Sequence, residues 1–435
     1  MTIIALGAAA WSLLLPQQGK LSMDEALRIA VENSFSLKIS ASNVEKTRQK
    51  IKEAKGTVGP KLTAQGTYTR FDQASTANIG GNTVTVSPID QKQAQLVFSM
   101  PLDLTGVIGR GISAARASEQ ASLSSYEATK NDVRLTVKNA YFGVLQTMAF
   151  VDVQKEALTR AETQLKNARI EFEKGSKAKV DVLRFETFVS QAKADLITAE
   201  NSLSLAKSAF NNALGRPIET PFELEDVVAM AQPEWTEEGL VAASMANRSE
   251  IKAIQYQVSA LENIQRAQEG GLKPSLSVSA THTRNIDAQG FSARDSSTTG
   301  VLSIAFPLFD SGITRAKVNQ ARQDVVQAKT QLDQIKLGIS LEVRQAISSL
   351  INAKARLDVA EKQVTLAQET YDIAALRDKV GEGIALQVID AQTELTRART
   401  GLVTARYDYL KAFAALQRAI GADDLQAKPV EKEKE

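Results

Sequence analysis

The chain has 435 residues, with 52 Lys plus Arg against 50 Asp plus Glu, so a formal net charge of +2 gives nucleic acid no reason to bind. It holds no Cys and one His, His282, which excludes disulfides, thiolate metal sites, thiol nucleophiles and a lipidated N-terminal Cys, and argues against a His-dependent triad or a His-based metal site. Apolar residues make up 43% and aromatics only 5%, a balance that suits long Ala-rich helices better than large globular cores.

In chain order, the first element is Ile3 to Leu15 (IIALGAAAWSLLL), an uncharged apolar stretch followed by Pro16. It is too short to span a bilayer and reads as the apolar region of an export signal, so residues 1–19 are assigned to a signal segment. No Lys or Arg precedes Ile3, a departure from the usual signal pattern. No other segment qualifies as a transmembrane helix.

From residue 20 the chain is written twice. Pro60 and Pro274 are 214 residues apart, and the same offset pairs Asn33 with Asn247, Lys38 with Lys252, Leu62 with Leu276 and Arg70 with Arg284. Further on, an offset of 206 pairs Pro101 with Pro307, Gly106 with Gly312, Gly175 with Gly381 and Gly215 with Gly421. The second copy is eight residues shorter between Arg284 and Phe306, as expected of a loop tip.

Each copy opens with helical spacing, over 20–59 and 235–273, stopped by Pro60 and Pro274. A β-hairpin follows, over 60–101 and 274–307, bounded by Pro101 and Pro307. Ser275 to Thr281 alternates strictly between Leu, Val and Ala on one face and Ser and Thr on the other. The segments 72–90 and 285–299 read as polar loops. Two long helical hairpins come next, over 102–215 and 308–421, with tips near 175–181 and 381–390. Val189, Ala192, Leu196 and Ala199 in the first, and Leu395, Ala398, Leu402 and Ala405 in the second, step by three and four residues, the seam of an antiparallel helix pair. A helix from about 107 to about 174 would be roughly 100 Å long at 1.5 Å per residue. Residues 216–234 read as a linker between the copies, and 422–435 as a mobile charged tail.

Two hairpins make four strands with one apolar face. In lipid an open sheet edge leaves backbone groups unsatisfied, so such a sheet must close, and one chain is too small to close it. Several copies around a water-filled axis satisfy both faces. Strand counting alone allows eight strands from a dimer as well as larger rings, and a soluble sandwich edge stays open on composition.

Over its mature length the chain resembles the TolC family of outer-membrane efflux proteins. The residues that carry the likeness are Leu21-Ser22-Met23-Asp24-Glu25-Ala26-Leu27 with Asn33, the strand starts at Pro60 and Pro274, Pro101-Leu102-Asp103, Pro307-Leu308-Phe309-Asp310-Ser311-Gly312, and the tips Gly175…Asp181-Val182-Leu183 and Gly381…Gln387-Val388-Ile389-Asp390-Ala391-Gln392. The resemblance implies a mainly α fold with a membrane β part: a homotrimer whose twelve strands form a barrel in outer-membrane lipid, continued by a twelve-helix α-barrel across the periplasm. It implies a passive exit duct of a tripartite efflux or type I secretion system, docked to a periplasmic adaptor protein and an inner-membrane transporter, with no enzyme activity, cofactor, metal or nucleic acid.

The resemblance also places the site. The family's acidic constriction ring falls on Gln387 and Asp390, of which only Asp390 keeps a charge. Asp181 matches the position that holds the gate closed through links to a neighbouring chain, and its usual aromatic and basic partners fall on Asp378 and Gly383. An Asp378–Asp181 contact would repel, so this gate is expected to be looser or held differently. The bland reading of Asp181 and Asp390 is that both stabilise a helix N-terminus. Gly175, Ser176, Lys177, Gly381 and Glu382 are expected at the adaptor-facing tips, with Lys174, Lys177 and Lys179 either meeting acidic groups or lying on a solvated face. A periplasmic adaptor and a soluble coiled-coil scaffold are the competing readings of the whole chain.

Overall fold

A computed structural model describes residues 20–226, 235–286 and 294–422. The signal segment 1–19, most of the charged tail, residues 227–234 of the linker and 287–293 of the second hairpin loop lie outside the described residues. The chain is mainly helical with some strands, and divides into two units. One comprises residues up to 38 with 129–247 and 339 onward; the other comprises 39–128 and 248–338.

The helical opening of each copy is two helices rather than the single one expected. α1 (Met23–Asn33) and α2 (Phe35–Gly56) are separated by Ser34, and α5 (Glu237–Asn247) and α6 (Ser249–Gly270) by Arg248. Both separating residues leave the helical region, with ψ 124° and 121°. Ser34 Oγ accepts from Leu37 N at 3.4 Å, so its side chain starts α2 while its own N–H closes α1 on the Ala30 carbonyl. One extended residue barely disturbs hydrophobic periodicity, which is why the break is hidden in the pattern.

In the first unit α3 (Val107–Glu173) and α7 (Ile313–Lys379), of 67 residues each, contribute their C-terminal parts, together with α4 (Lys179–Ala213) and α8 (Ala385–Ile420). The seam residues Val189, Ala192, Leu395 and Ala405 are buried. The linker is tied down where it is described: Leu21 N donates to the Glu223 carbonyl at 2.8 Å, and Glu225 N to the Leu21 carbonyl at 3.1 Å. The Tyr141 hydroxyl lies 3.0 Å from the Leu21 carbonyl and 2.6 Å from that of Glu225, with its ring fully buried edge-on to Phe142 and Phe210. Burial pushes its pKa up to about 12.

In the second unit four strands, β1 (Lys61–Arg70), β4 (Asp90–Leu102), β5 (Ser275–Asn285) and β6 (Ser296–Ala305), form one antiparallel sheet in the order β1-β4-β5-β6. The register aligns the alternation of all four. Leu62 lies opposite Phe98, Phe98 opposite Ala280, Met100 opposite Val278, and Val278 opposite Leu302. The intervening residues include Thr63, Gln65, Gln93, Gln95, Ser277, Ser279, Thr281 and Ser303, with Val97 and Val301 among them. One face is therefore mainly apolar and the other mainly Gln, Ser and Thr. Leu62, Leu302 and Ile304 on the apolar face are 66%, 66% and 68% exposed, so none of the described residues covers these positions.

The loop expected over 72–90 contains a second hairpin, β2 (Ser75–Ile79) with β3 (Asn82–Ser87). Its turn is Gly80-Gly81 with φ 60° and 87°, a pair of left-handed residues that matches strand twist and that only glycine adopts freely. That dipeptide lies between Ile79 and Asn82, with Thr83-Val84-Thr85-Val86 following, and is the hairpin signal within the polar stretch. Among the described residues no helix is long and apolar enough to cross a membrane.

Candidate functional site at the helical tips

Each long helical hairpin turns back through the same device. Gly175, at φ 75°, donates to the Phe172 carbonyl at 2.9 Å and Ser176 N to that of Glu171 at 3.0 Å. In the second hairpin Gly381 donates to the Asp378 carbonyl at 3.1 Å and Glu382 N to that of Arg377 at 3.0 Å. Both are Schellman caps, which satisfy the last carbonyls of α3 and α7 and reverse the chain within a few residues. Gly175, Ser176, Gly381 and Glu382 are exposed. Gly383 has a different reason to be glycine: a Cβ there would come within 2.7 Å of the Asp378 backbone nitrogen.

Beneath the turns the two hairpins share a core. Phe185 and Val182 of α4 and Ala168 of α3 pack with Tyr371 of α7 and with Ala385, Val388, Ala391 and Leu395 of α8. Gln392, 1% exposed, donates to the Ala157 carbonyl at 2.8 Å, which satisfies an amide that would otherwise be stranded. The α8 positions facing this core step by three and four, so Gln387 and Asp390 lie on the exposed side of the same helix.

The charges pair differently from expectation. Lys177 lies on no solvated face: its side chain is 9% exposed, with Nζ 2.7 Å from Asp378 Oδ2, 3.1 Å from Glu171 Oε2 and 5.4 Å from the centre of the Phe185 ring. It joins the turn of the first hairpin to the last helical turn of the second. Burial alone would pull its pKa down, but hydrogen bonds and charge from Asp378 and Glu171 outweigh that and hold it above the ordinary lysine value. Asp181 instead has Arg184 of its own helix at 3.8 Å. Within the chain each of the two acids has its own cation, Lys177 for Asp378 and Arg184 for Asp181. The helix-end reading survives for Asp181, in the first turn of α4, but not for Asp390: the first turn of α8 holds no acid, and Asp390 lies a turn further on.

Sequence reasoning placed Asp181, Asp378, Gly383, Gln387 and Asp390 near the tips but missed Glu171, Phe185 and Tyr371. The Lys177–Asp378 pair joins residues 201 positions apart, and no local pattern announces it. Among the described residues no cluster of His, Asp or Glu could hold a metal ion.

Comparison with known proteins bears on both the tips and the sheet. The model of a family described as outer membrane efflux protein matches residues 26–216 and again 240–422. The outer membrane protein TolC of Escherichia coli is 25% identical over 437 residues, covering 96% of this chain and 85% of TolC. The outer membrane efflux protein BepC of Brucella suis is 25% identical over 309 residues, covering 70% of this chain and 67% of BepC. In fold the chain is similar to the Campylobacter jejuni CmeC outer membrane channel, with a TM-score of 0.79 at 15% identity over 97% of this chain and 93% of that one. It is equally similar to CusC, with a TM-score of 0.79 at 17% identity over 94% and 96% of the two chains.

Proposed function

From the premise that this chain belongs to the outer membrane efflux protein family, we propose that it is the passive exit duct of an efflux assembly, completed only when three copies join. An outer-membrane exit channel needs a lipid-facing wall, a wet lumen and a closable inner end. The observation that carries the reading is the four-stranded sheet: one face mainly apolar and exposed, the other mainly Gln, Ser and Thr, with β1 and β6 as its two edges. The edge strands are of equal length, 10 residues each. Joining β6 of one copy antiparallel to β1 of the next satisfies both edges, which in lipid would cost several kcal/mol per unpaired group. Three copies give a twelve-stranded barrel around a polar lumen, and the family likeness favours three over two.

The long helices of each copy continue the duct as a twelve-helix barrel. At its inner end Asp390, with Gln387 beside it, forms the constriction, and three Asp390 carboxylates around one axis favour cations. Asp181, Asp378 and Gly383 belong to the gate, with Lys177 clasping Asp378 from within the same chain. Because Lys177 is already engaged, contact with a periplasmic adaptor falls to Gly175, Ser176, Gly381 and Glu382, and an inner-membrane transporter lies beyond. The adaptor and scaffold readings lose ground because the family match spans both halves, hairpins included.

Purified protein in planar bilayers should give ion-conducting channels, and cross-linking in detergent should end at a three-chain product. A water-soluble monomer, or a ladder that stops at two chains, would overturn the assembly.

A further inference from the structure

The apolar face of the sheet does not run the full length of its strands. Its rows begin with Leu102 beside Leu276 and Leu276 beside Ile304, and continue through Met100, Val278 and Leu302 to Phe98 and Ala280. From Leu102 to Leu96 of β4 this band measures roughly 20 Å at 3.4 Å per residue, and its last row already sets the exposed His282 and Thr298 beside Leu96. Beyond it the same face changes character. Arg284 stands opposite Ala94, Lys92 opposite Tyr68 and Arg70 opposite Asp90. These residues and Tyr68 are exposed. The Tyr68 hydroxyl donates to Asp90 Oδ1 at 2.7 Å, and Arg70 lies 3.8 Å from the same oxygen, so the one acid is shared between two neighbours.

The other face at this level carries Thr67, Thr69, Gln91, Gln93, Thr283 and Asn285, without a charge. Lys61, the remaining Lys or Arg of the four strands, belongs to that other face and to the opposite end, where the helices join. Cations placed only to keep loops soluble would have no reason to choose one face. Here three of them gather on the lipid-facing side, at the end that carries the loops, with a tyrosine suited to a membrane–water boundary.

We propose that Arg284, Lys92 and Arg70, with Tyr68, form a basic belt that binds the phosphate-bearing headgroups of anionic lipids in the outer leaflet. The inference rests on the outer-membrane reading, since the loop end of the sheet faces outward only if the helices lie on the periplasmic side. Arg supplies paired N–H donors for phosphate oxygens and Lys a point charge. Each Lys or Arg near an anionic surface favours association by roughly fivefold.

The test reconstitutes the full-length protein in phosphatidylcholine vesicles with and without phosphatidylglycerol, and counts by mass spectrometry the anionic lipid that stays with each assembly on extraction. Wild type should retain phosphatidylglycerol in preference to phosphatidylcholine, and K92Q/R284Q should retain roughly 25-fold less of it while inserting equally well. Equal retention by the variant overturns the belt. The charge-keeping variant K92R/R284K should behave as wild type. If the glutamine variant does not assemble, wild type is read at 1 M salt, where charges are screened beyond about 3 Å: a fall in retention supports the belt and no fall overturns it. Displacement of the lipid by millimolar inorganic phosphate would assign the cations to free phosphate and overturn the lipid proposal. Failure of wild type to enter either vesicle would sink the membrane reading itself, a result distinct from insertion without lipid preference.

Discussion

The helical tips and the four-stranded sheet use the same residue types to opposite ends. At the tips Phe185, Val388 and Leu395 are at most 1% exposed, and even a lysine is enclosed between two acids and an aromatic ring. In the sheet Leu62, Leu302 and Ile304 are about two-thirds exposed although their backbone register is complete. The tips are finished by the chain itself, because helices from both halves meet there around a shared core. The sheet is left unfinished: Leu62, Leu302 and Ile304 stand exposed on one face, and β1 and β6 each pair on one side only. A substitution at the tips should therefore be felt in any solvent, and one on the apolar face of the sheet only where membrane and assembly exist.

The largest effect should come from Phe185→Ala, which empties a fully enclosed site and costs about 3–5 kcal/mol. Denaturant unfolding of the purified protein measures it, and a cost below a third of that range would mean the tip core is not what joins the hairpins. Next is Leu302→Arg. A lysine or arginine at the lipid-facing midplane costs about 2–4 kcal/mol in each copy, so outer-membrane yield should collapse while helix content stays near wild type by circular dichroism. Normal yield would show that the face meets water rather than lipid.

Lys177→Met comes third. It leaves Asp378 buried without its cation, at about 1–3 kcal/mol. Because the folded Lys177 pKa lies above its ordinary value, the stabilisation is fully present below the unfolded lysine pKa and is lost as pH rises through the folded one. Stability curves of wild type and variant should hence stay apart at neutral pH and converge above about pH 10.5. A gap that persists into strong alkali would make Lys177 a packing residue rather than a clasp. The smallest effect is that of Asp390→Asn, exposed and without a role in the core. Stability should not move, while cation over anion selectivity in planar bilayers falls by roughly twofold. Unchanged selectivity would remove Asp390 from the constriction.

Much of this was legible in the residues. The prolines at 60, 101, 274 and 307, the strict alternation of Ser275 to Thr281 and the seven-residue seams announce strands and long helices, because each depends only on neighbours within a turn or two. The long helices run over Val107–Glu173 and Ile313–Lys379, each followed by a turn at Gly175 or Gly381. Ser34 and Arg248 escaped that reading because one extended residue interrupts a helix without shifting its apolar stripe, and the Gly80-Gly81 turn escaped because polar strands look like loops.

By itself the amino-acid order determined the long helices, the glycine turns between them, and four strands with one mainly apolar and one mainly polar face. All of these follow from short-range sterics and periodicity. Only the tertiary structure decided how charges pair at the tips and which strand lies beside which. Lys177 finds Asp378 across 201 residues, and Leu102 finds Leu276 across the whole first helical hairpin. Such meetings depend on how distant helices and strands are brought together in space, and nothing in the local chain encodes that distance.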